Sequence, residues 1–177
     1  DRGVEVFDLQ DCLAEVLQNP LARTWLLDRR LTDMLVGPYI SLEMRPWLDE
    51  MKAADLARYL IGGIAFHEVP DDAAGPFIRA FAETEPAGFV IAPLPNTQFM
   101  RDNSSWVFNG VTLNPMYFPA RQPETLLTTA VYKFHPQFRD EPYHVWLGDP
   151  DGRPYDHGVT TLEGGDVMPI GKGVVLI

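Results

Sequence analysis

The chain has 177 residues, 46% of them apolar, a formal net charge of −11 and a single cysteine. The acidic balance (pI about 4.6) argues against nucleic acid, whose phosphates select basic faces, and admits a cationic ligand. One cysteine excludes an internal disulfide framework, and with no signal peptide and no long apolar run the chain fits the cytoplasm, with no membrane partner. At this length one domain is the default and two small ones are possible. The chain starts at Asp1 and stops in the apolar run "GKGVVLI", so it is expected to be a piece of a longer polypeptide.

In chain order, "VEVF" (4–7) alternates and predicts a short strand; a helical pattern runs from Asp8 to about Glu85. Asp8 can cap a first helix with Leu9, Cys12, Leu13, Val16 and Leu17 on one face. Asn19-Pro20 predicts a cap and first turn for a helix toward Leu35, ended by Gly37-Pro38. Ser41 opens another segment, in which Pro46 is tolerable near the start or as a kink. "AADLARYLIGG" (53–63) is a helix ending in glycine, and 71–85 a weaker helix or a turn followed by one. After Pro86 the pattern changes. "GFVIAPL" (88–94) reads as a buried strand, and 105–114 as a hairpin around an Asn109-Gly110 turn. Residues 123–135 predict a helix with Leu126, Leu127, Ala130, Val131 and Phe134 inward; 143–147 predict a strand closed by a turn at 148–152. Residues 159–177 read as strand, acidic break, strand, glycine turn and strand. The fold class is α/β: a helical block, then a β-β-α-β unit and the start of another.

Three features break these local rules. Arg101-Asp102 lies between a buried strand and a hairpin; Asp102 is either a loop acid satisfying backbone N–H groups or part of a site. Arg121 precedes a helix start, where the macrodipole disfavours a cation. It is therefore solvated, paired with an acid, or aimed at an anion. "EGGD" (163–166) sets two acids around two glycines in an apolar pattern, as an exposed bulge or as a point of close approach to a ligand or to backbone. Two carboxylates and an arginine suit a ligand with a positive and a negative end, since a guanidinium fork pairs with two carboxylate oxygens. Other residues carry less. Cys12 lies on an apolar stripe and reads as a small core residue. His67, His135, His144 and His157 have no metal-ligand spacing, and His135 reads as a helix end. "GKG" (171–173) lacks the rest of a phosphate loop. Trp25, Trp47, Trp106 and Trp146 read as core or helix-packing residues.

"NTQFMRD" (96–102), within the stretch 93–138, followed by "EGGDVMPIGKGVVLI" (163–177), resembles bacterial arginine deiminase; so do "VEVFDLQDCLAEVL", "VGPYISLEM" (36–44) and "LIGGI" (60–64). The resemblance spans essentially the whole chain. It implies hydrolysis of L-arginine to L-citrulline and ammonium through a covalent thioether, with no metal or organic cofactor. It also implies part of a five-bladed α/β-propeller of ββαβ units with an inserted helical domain. On that reading residues 1–7 are a propeller strand, 8–85 the insertion and 86–177 propeller. Asp102 and Glu163 would hold the guanidinium, with Asp102 assisting proton movement. Arg121 would pair with the substrate carboxylate, Asn96 would bind the amino-acid end, Phe99 would pack on the aliphatic stem, and Asp166 would support the glycine turn. A homo-oligomer is expected of the full-length enzyme.

The family's nucleophilic cysteine lies near its C-terminus, and its base lies in a His-x-Asp motif after "EGGD". Here the four histidines are followed two residues later by Val69, Gln137, Trp146 and Val159. The chain is thus expected to be an internal piece of a deiminase and inactive alone. Agmatine deiminases, dimethylarginine hydrolases and amidinotransferases are rivals within the superfamily, and a non-catalytic assembly module is the rival outside it.

Overall fold

The first helix, α1 (Leu9–Val16), begins where Asp8 turns its carboxylate onto the free N–H groups of Gln10 (2.8 Å) and Asp11 (3.3 Å). In this computed structural model residues 3–151 and 157–177 are described, and the chain divides into two compact units between Leu94 and Pro95. Residues 4–7 do not form the expected strand: Val4 and Val6 are exposed, and alternation alone cannot hold a strand that has no paired neighbour.

In the first unit α2 (Pro20–Arg30) is capped by Asn19, which accepts from Leu21 N–H. It stops five residues before the expected Leu35, because Leu31 leaves helical geometry, and a separate turn, α3 (Asp33–Val36), follows. Gly37 takes φ +83° and α4 (Pro38–Glu50) starts at Pro38, three residues before Ser41. The helix runs on past Pro46, which donates no hydrogen bond to the preceding turn. α5 (Ala53–Gly62) ends at Gly63, φ +82°, where a Cβ would meet Pro93 N at 2.7 Å. That approach leads into β1 (Ile64–Ala65), which pairs antiparallel with β2 (Phe89–Ile91). The strand at 88–94 is therefore shorter than its apolar run, and it belongs with the helices, not with the second unit. α6 (Pro76–Thr84) begins under the Glu43 carboxylate, which accepts from the N–H groups of Phe77 and Ile78, both at 3.2 Å. The core gathers Leu13, Leu26, Met44, Leu56, Leu60 and Ile78, all fully buried, with α1 packed along α5.

In the second unit β3 (Ser104–Val107) and β4 (Gly110–Leu113) form the expected hairpin, but Val107 pairs with Gly110, so the loop residues are Phe108 and Asn109. Phe108 takes φ +53°. Gly110 is required by packing: a Cβ there would lie 2.3 Å from Trp146 Nε1. α7 (Met100–Asn103), one turn that the sequence pattern does not mark, precedes β3. α8 (Gln122–Phe134) crosses over to β5 (His144–Leu147), which lies parallel to β4. Leu126, Leu127, Ala130 and Val131 are buried as expected, whereas Phe134 is only partly buried. His135 ends α8 and its Nδ1 accepts from Gln137 N–H, starting α9 (Pro136–Arg139). Trp106 and Trp146 are half exposed, contrary to a core role, and each indole N–H finds a partner, Tyr132 Oη and Val107 O respectively. Residues 159–162 form no strand, although Leu162 is buried and its N–H reaches Pro115 O. β6 (Met168–Gly171) and β7 (Val174–Leu176) form a hairpin through Lys172 and Gly173, both at positive φ. Gly152, at the end of the turn expected over 148–152, lies outside the described residues. The chain is thus α/β throughout, and none of its described helices is long and apolar enough to cross a membrane.

Candidate functional site

The second unit gathers three of its acids around Arg121. α7 is a single turn with Asp102 on it, and its carbonyls are held from below: Asn114 Nδ2 donates to Asp102 O (2.8 Å) and Asn114 N–H to Asn103 O (2.9 Å). α8 locks the same layer, with Thr128 Oγ1 donating to Asn103 Oδ1 (2.8 Å) and Thr125 Oγ1 to Asn114 O (2.7 Å). The "EGGD" loop is pressed onto α7. Arg101 Nη2 donates to Val167 O, and a Cβ on Gly164 would lie 2.6 Å from Arg101 O. Gly164 is therefore a close-approach glycine, set against the backbone of Arg101, whereas Gly165 and Asp166 are exposed. The loop makes a 3₁₀ turn (Gly164–Asp166), and Asp166 Oδ2 accepts from Glu163 N–H at 2.9 Å, which fixes the backbone from which Glu163 projects.

A methyl group at position 164 must push this loop away from α7. Gly164→Ala is expected to lower stability by about 1–3 kcal/mol, as overpacking does. Gly165, where an added Cβ meets nothing within 4 Å, should tolerate alanine within roughly 0.5 kcal/mol. Thermal unfolding of the two variants distinguishes them, and equal midpoints would contradict the close-packing role of Gly164.

Arg121 stands at the junction of a 3₁₀ turn (Pro119–Arg121) and α8, and its side chain is only 9% exposed. Of the three possibilities the sequence leaves open, pairing with acids is the one observed. Nε donates to both oxygens of Glu124 (3.2 and 3.3 Å) and Nη2 to Oε2 (2.9 Å), a bidentate fork. Nη1 reaches Asp102 Oδ2 at 3.1 Å and Glu163 Oε2 at 3.4 Å. Glu124 is in the first turn of α8, so it offsets the helix dipole that would otherwise disfavour the cation. Its hydrogen bonds come first among the effects that raise the Arg121 pKa above the ordinary arginine value; burial opposes them, and the nearby Asp102 carboxylate reinforces them. Arg121 is thus a permanent cation facing three carboxylates. Among the described residues one positive charge meets these three negative ones, which leaves the cluster short of a cation. Glu163 adds to the deficit, since its buried Oε1 has no hydrogen-bond partner among the described residues.

Asp102, Glu163 and Arg121 are therefore together, and Asp166 supports Glu163. Asn96 joins through its backbone, its N–H donating to Glu124 Oε1 at 3.2 Å. Phe99 begins the turn that carries Asp102 and keeps its ring half exposed. The residue that sequence reasoning missed is Glu124, whose side chain is 0% exposed. Its signal was present: it falls three and seven residues before Leu127 and Val131, on the inward face of α8. An acid on an apolar stripe demands a cation. A cavity of about 510 Å³ in the same unit, lined among others by Trp106, Phe108, Tyr132 and Val175, is apolar, and none of the four clustered side chains lines it.

Cys12 belongs to the first unit. It is buried, and burial first, then the nearby acids Glu15, Asp8 and Asp11, push its thiol pKa up. It is held as the thiol, the form without nucleophilic power. Compared with known protein families, the chain matches the family described as arginine deiminase over residues 1–177.

Proposed function

The chain belongs to the arginine deiminase family, and from that premise we propose that it supplies part of the site at which L-arginine is hydrolysed to L-citrulline and ammonium. The observation that carries this reading is the charge deficit of the cluster: three carboxylates on one guanidinium, one of them with a buried oxygen that has no partner among the described residues. A second guanidinium would supply the missing charge and the missing donor.

In this reading Asp102 and Glu163 hold the planar substrate cation and disperse its charge as a thiolate adds to the guanidinium carbon. Ammonia leaves, taking up a proton that Asp102 helps to move, and a covalent amidino-thioether remains; water then cleaves the carbon–sulfur bond to give citrulline and the free thiol. Because Cys12 is buried and held as the thiol, the nucleophile is assigned to a cysteine of the full-length enzyme outside this chain. Arg121 takes the substrate carboxylate, Asn96 the amino-acid end and Phe99 the aliphatic stem. For Arg121 this requires an exchange: Asp102 and Glu163 turn from Nη1 to the substrate guanidinium, and Nη1 takes the substrate carboxylate in their place. β3, β4, α8 and β5 are read as one ββαβ blade of a five-bladed α/β-propeller, and the helices α1 to α6 as its insertion. A cytoplasmic, homo-oligomeric enzyme is part of the same reading.

The test offers the full-length enzyme L-arginine, agmatine and dimethylarginine and quantifies citrulline and ammonium. One ammonium per citrulline, with L-arginine the preferred substrate, is expected; the 177-residue chain alone should form none. No citrulline from the full-length enzyme would overturn the reading in favour of a non-catalytic module. A preference for agmatine would transfer it to a related guanidino-modifying enzyme. Turnover by the chain alone that Cys12→Ser abolishes would move the nucleophile to Cys12.

A further inference from the structure

Glu124 has no part in the chemistry just described, yet it is the most deeply buried charge of the cluster, with its side chain wholly enclosed. We propose that Glu124 is the positioning residue for the amino-acid end of the substrate, acting through Arg121 and the backbone of Asn96. This rests on the reading of the site as one for L-arginine.

The geometry separates two jobs on one guanidinium. Arg121 turns its Nε–Nη2 edge to Glu124, with contacts of 2.9 to 3.3 Å, and its Nη1 end to Asp102 and Glu163 at 3.1 and 3.4 Å. The partners differ in kind. Asp102 and Glu163 are partly open to solvent, at 27% and 28%, whereas Glu124 is closed off. A ligand can therefore reach and replace the Nη1 contacts while the Nε–Nη2 edge stays fixed. Glu124 is the pivot that keeps the guanidinium plane in place when Nη1 changes partner. The same carboxylate accepts from Asn96 N–H at 3.2 Å, so one buried anion fixes the two residues assigned to the polar end of the substrate. A positioned fork is what separates an arginine from a point charge in carboxylate recognition.

The test is made in the full-length enzyme with kcat and KM measured for L-arginine and agmatine. Glu124→Gln keeps the shape and removes the charge. It is expected to narrow the preference for arginine over agmatine roughly tenfold, the scale of one charge-assisted pair. The loss should sit in the KM for arginine, because the carboxylate is bound alike in ground and transition states. In an Arg121→Ala background the same change should narrow the preference no further, because Glu124 acts through Arg121. There it should also raise the melting temperature, since alanine at 121 strands a buried carboxylate that glutamine relieves. A folded Glu124→Gln enzyme with the parental preference overturns the proposal, and so does a full additive loss in the double variant. If Glu124→Gln does not fold, Glu124→Asp carries the test: it keeps the charge, falls one methylene short, and should show the same narrowing. An unchanged preference in that variant overturns the proposal equally. A parent enzyme that forms no citrulline defeats the functional reading itself; a parent that does, with the preference unmoved, defeats only the role of Glu124.

Discussion

Asp102→Asn and Glu163→Gln, each made in the full-length enzyme, are expected to lower kcat/KM for L-arginine on the order of 100-fold while leaving the fold intact. Each substitution keeps the size of the side chain and removes the charge that a guanidinium needs. A charge-assisted hydrogen bond contributes about 1.5–3 kcal/mol, which is roughly one to two powers of ten in rate. Misorientation adds to it, because a reacting carbon displaced by about 1 Å costs on the order of 100-fold. The fold should survive because both side chains are partly exposed, at 27% and 28%, and neither supports the core. Steady-state kinetics beside a thermal melt separates the two effects. A variant with near-parental kcat/KM removes its residue from the site; a variant that loses activity together with its melting transition assigns the residue to the fold.

Arg121→Ala should be the most disruptive single change in the second unit. Its side chain is 9% exposed and answers three carboxylates, one of them fully buried. Removing one partner of a buried ion pair costs about 3–5 kcal/mol, since the other charge is left without compensation. Urea unfolding of the 177-residue chain reads that loss directly, and an unchanged midpoint would contradict the clamp. In the full-length enzyme the same variant should also narrow the preference for arginine over agmatine, roughly ten- to a hundredfold for one charge-assisted carboxylate pair. Lysine at 121 should recover part of either loss and not the whole, because a point charge cannot span Glu124 with two N–H groups. An equal fall for both substrates would leave Arg121 a clamp among internal acids, and the argument for a carboxylate-bearing substrate would lose its best residue.

The helices were legible because their ends are written in side chains. Asp8 and Asn19 cap as their chemistry requires, and glycines stand at positive φ after α3 and α5. Less legible were features decided by distant contacts. Gly110 reads locally as a turn glycine, but the indole of Trp146, brought beside it by the parallel pairing of β5, is what excludes a side chain there. Gly164 is likewise explained by Arg101, far away in sequence. The run at 88–94 pointed to a strand and could not point to its partner, Ile64–Ala65, whose pairing keeps that strand in the first compact unit, which ends at Leu94. At the site, Arg121 was conspicuous because it stood against a helix dipole. Glu124 was overlooked because an acid in the first turn of a helix satisfies every local rule. Only its place on the inward face of α8 marked it as buried.

The most direct measurement is a calorimetric comparison of L-arginine with L-citrulline, its near-isosteric neutral counterpart. The binding protein is the full-length enzyme with its nucleophilic cysteine changed to alanine. If the cluster of Asp102, Glu163 and Glu124 is short of a cation, arginine should bind roughly tenfold or more tightly than citrulline, and the difference should close when Asp102→Asn and Glu163→Gln are combined. Equal affinities in the parent, or a difference that persists without the two carboxylates, would contradict the assignment of this cluster to a guanidinium.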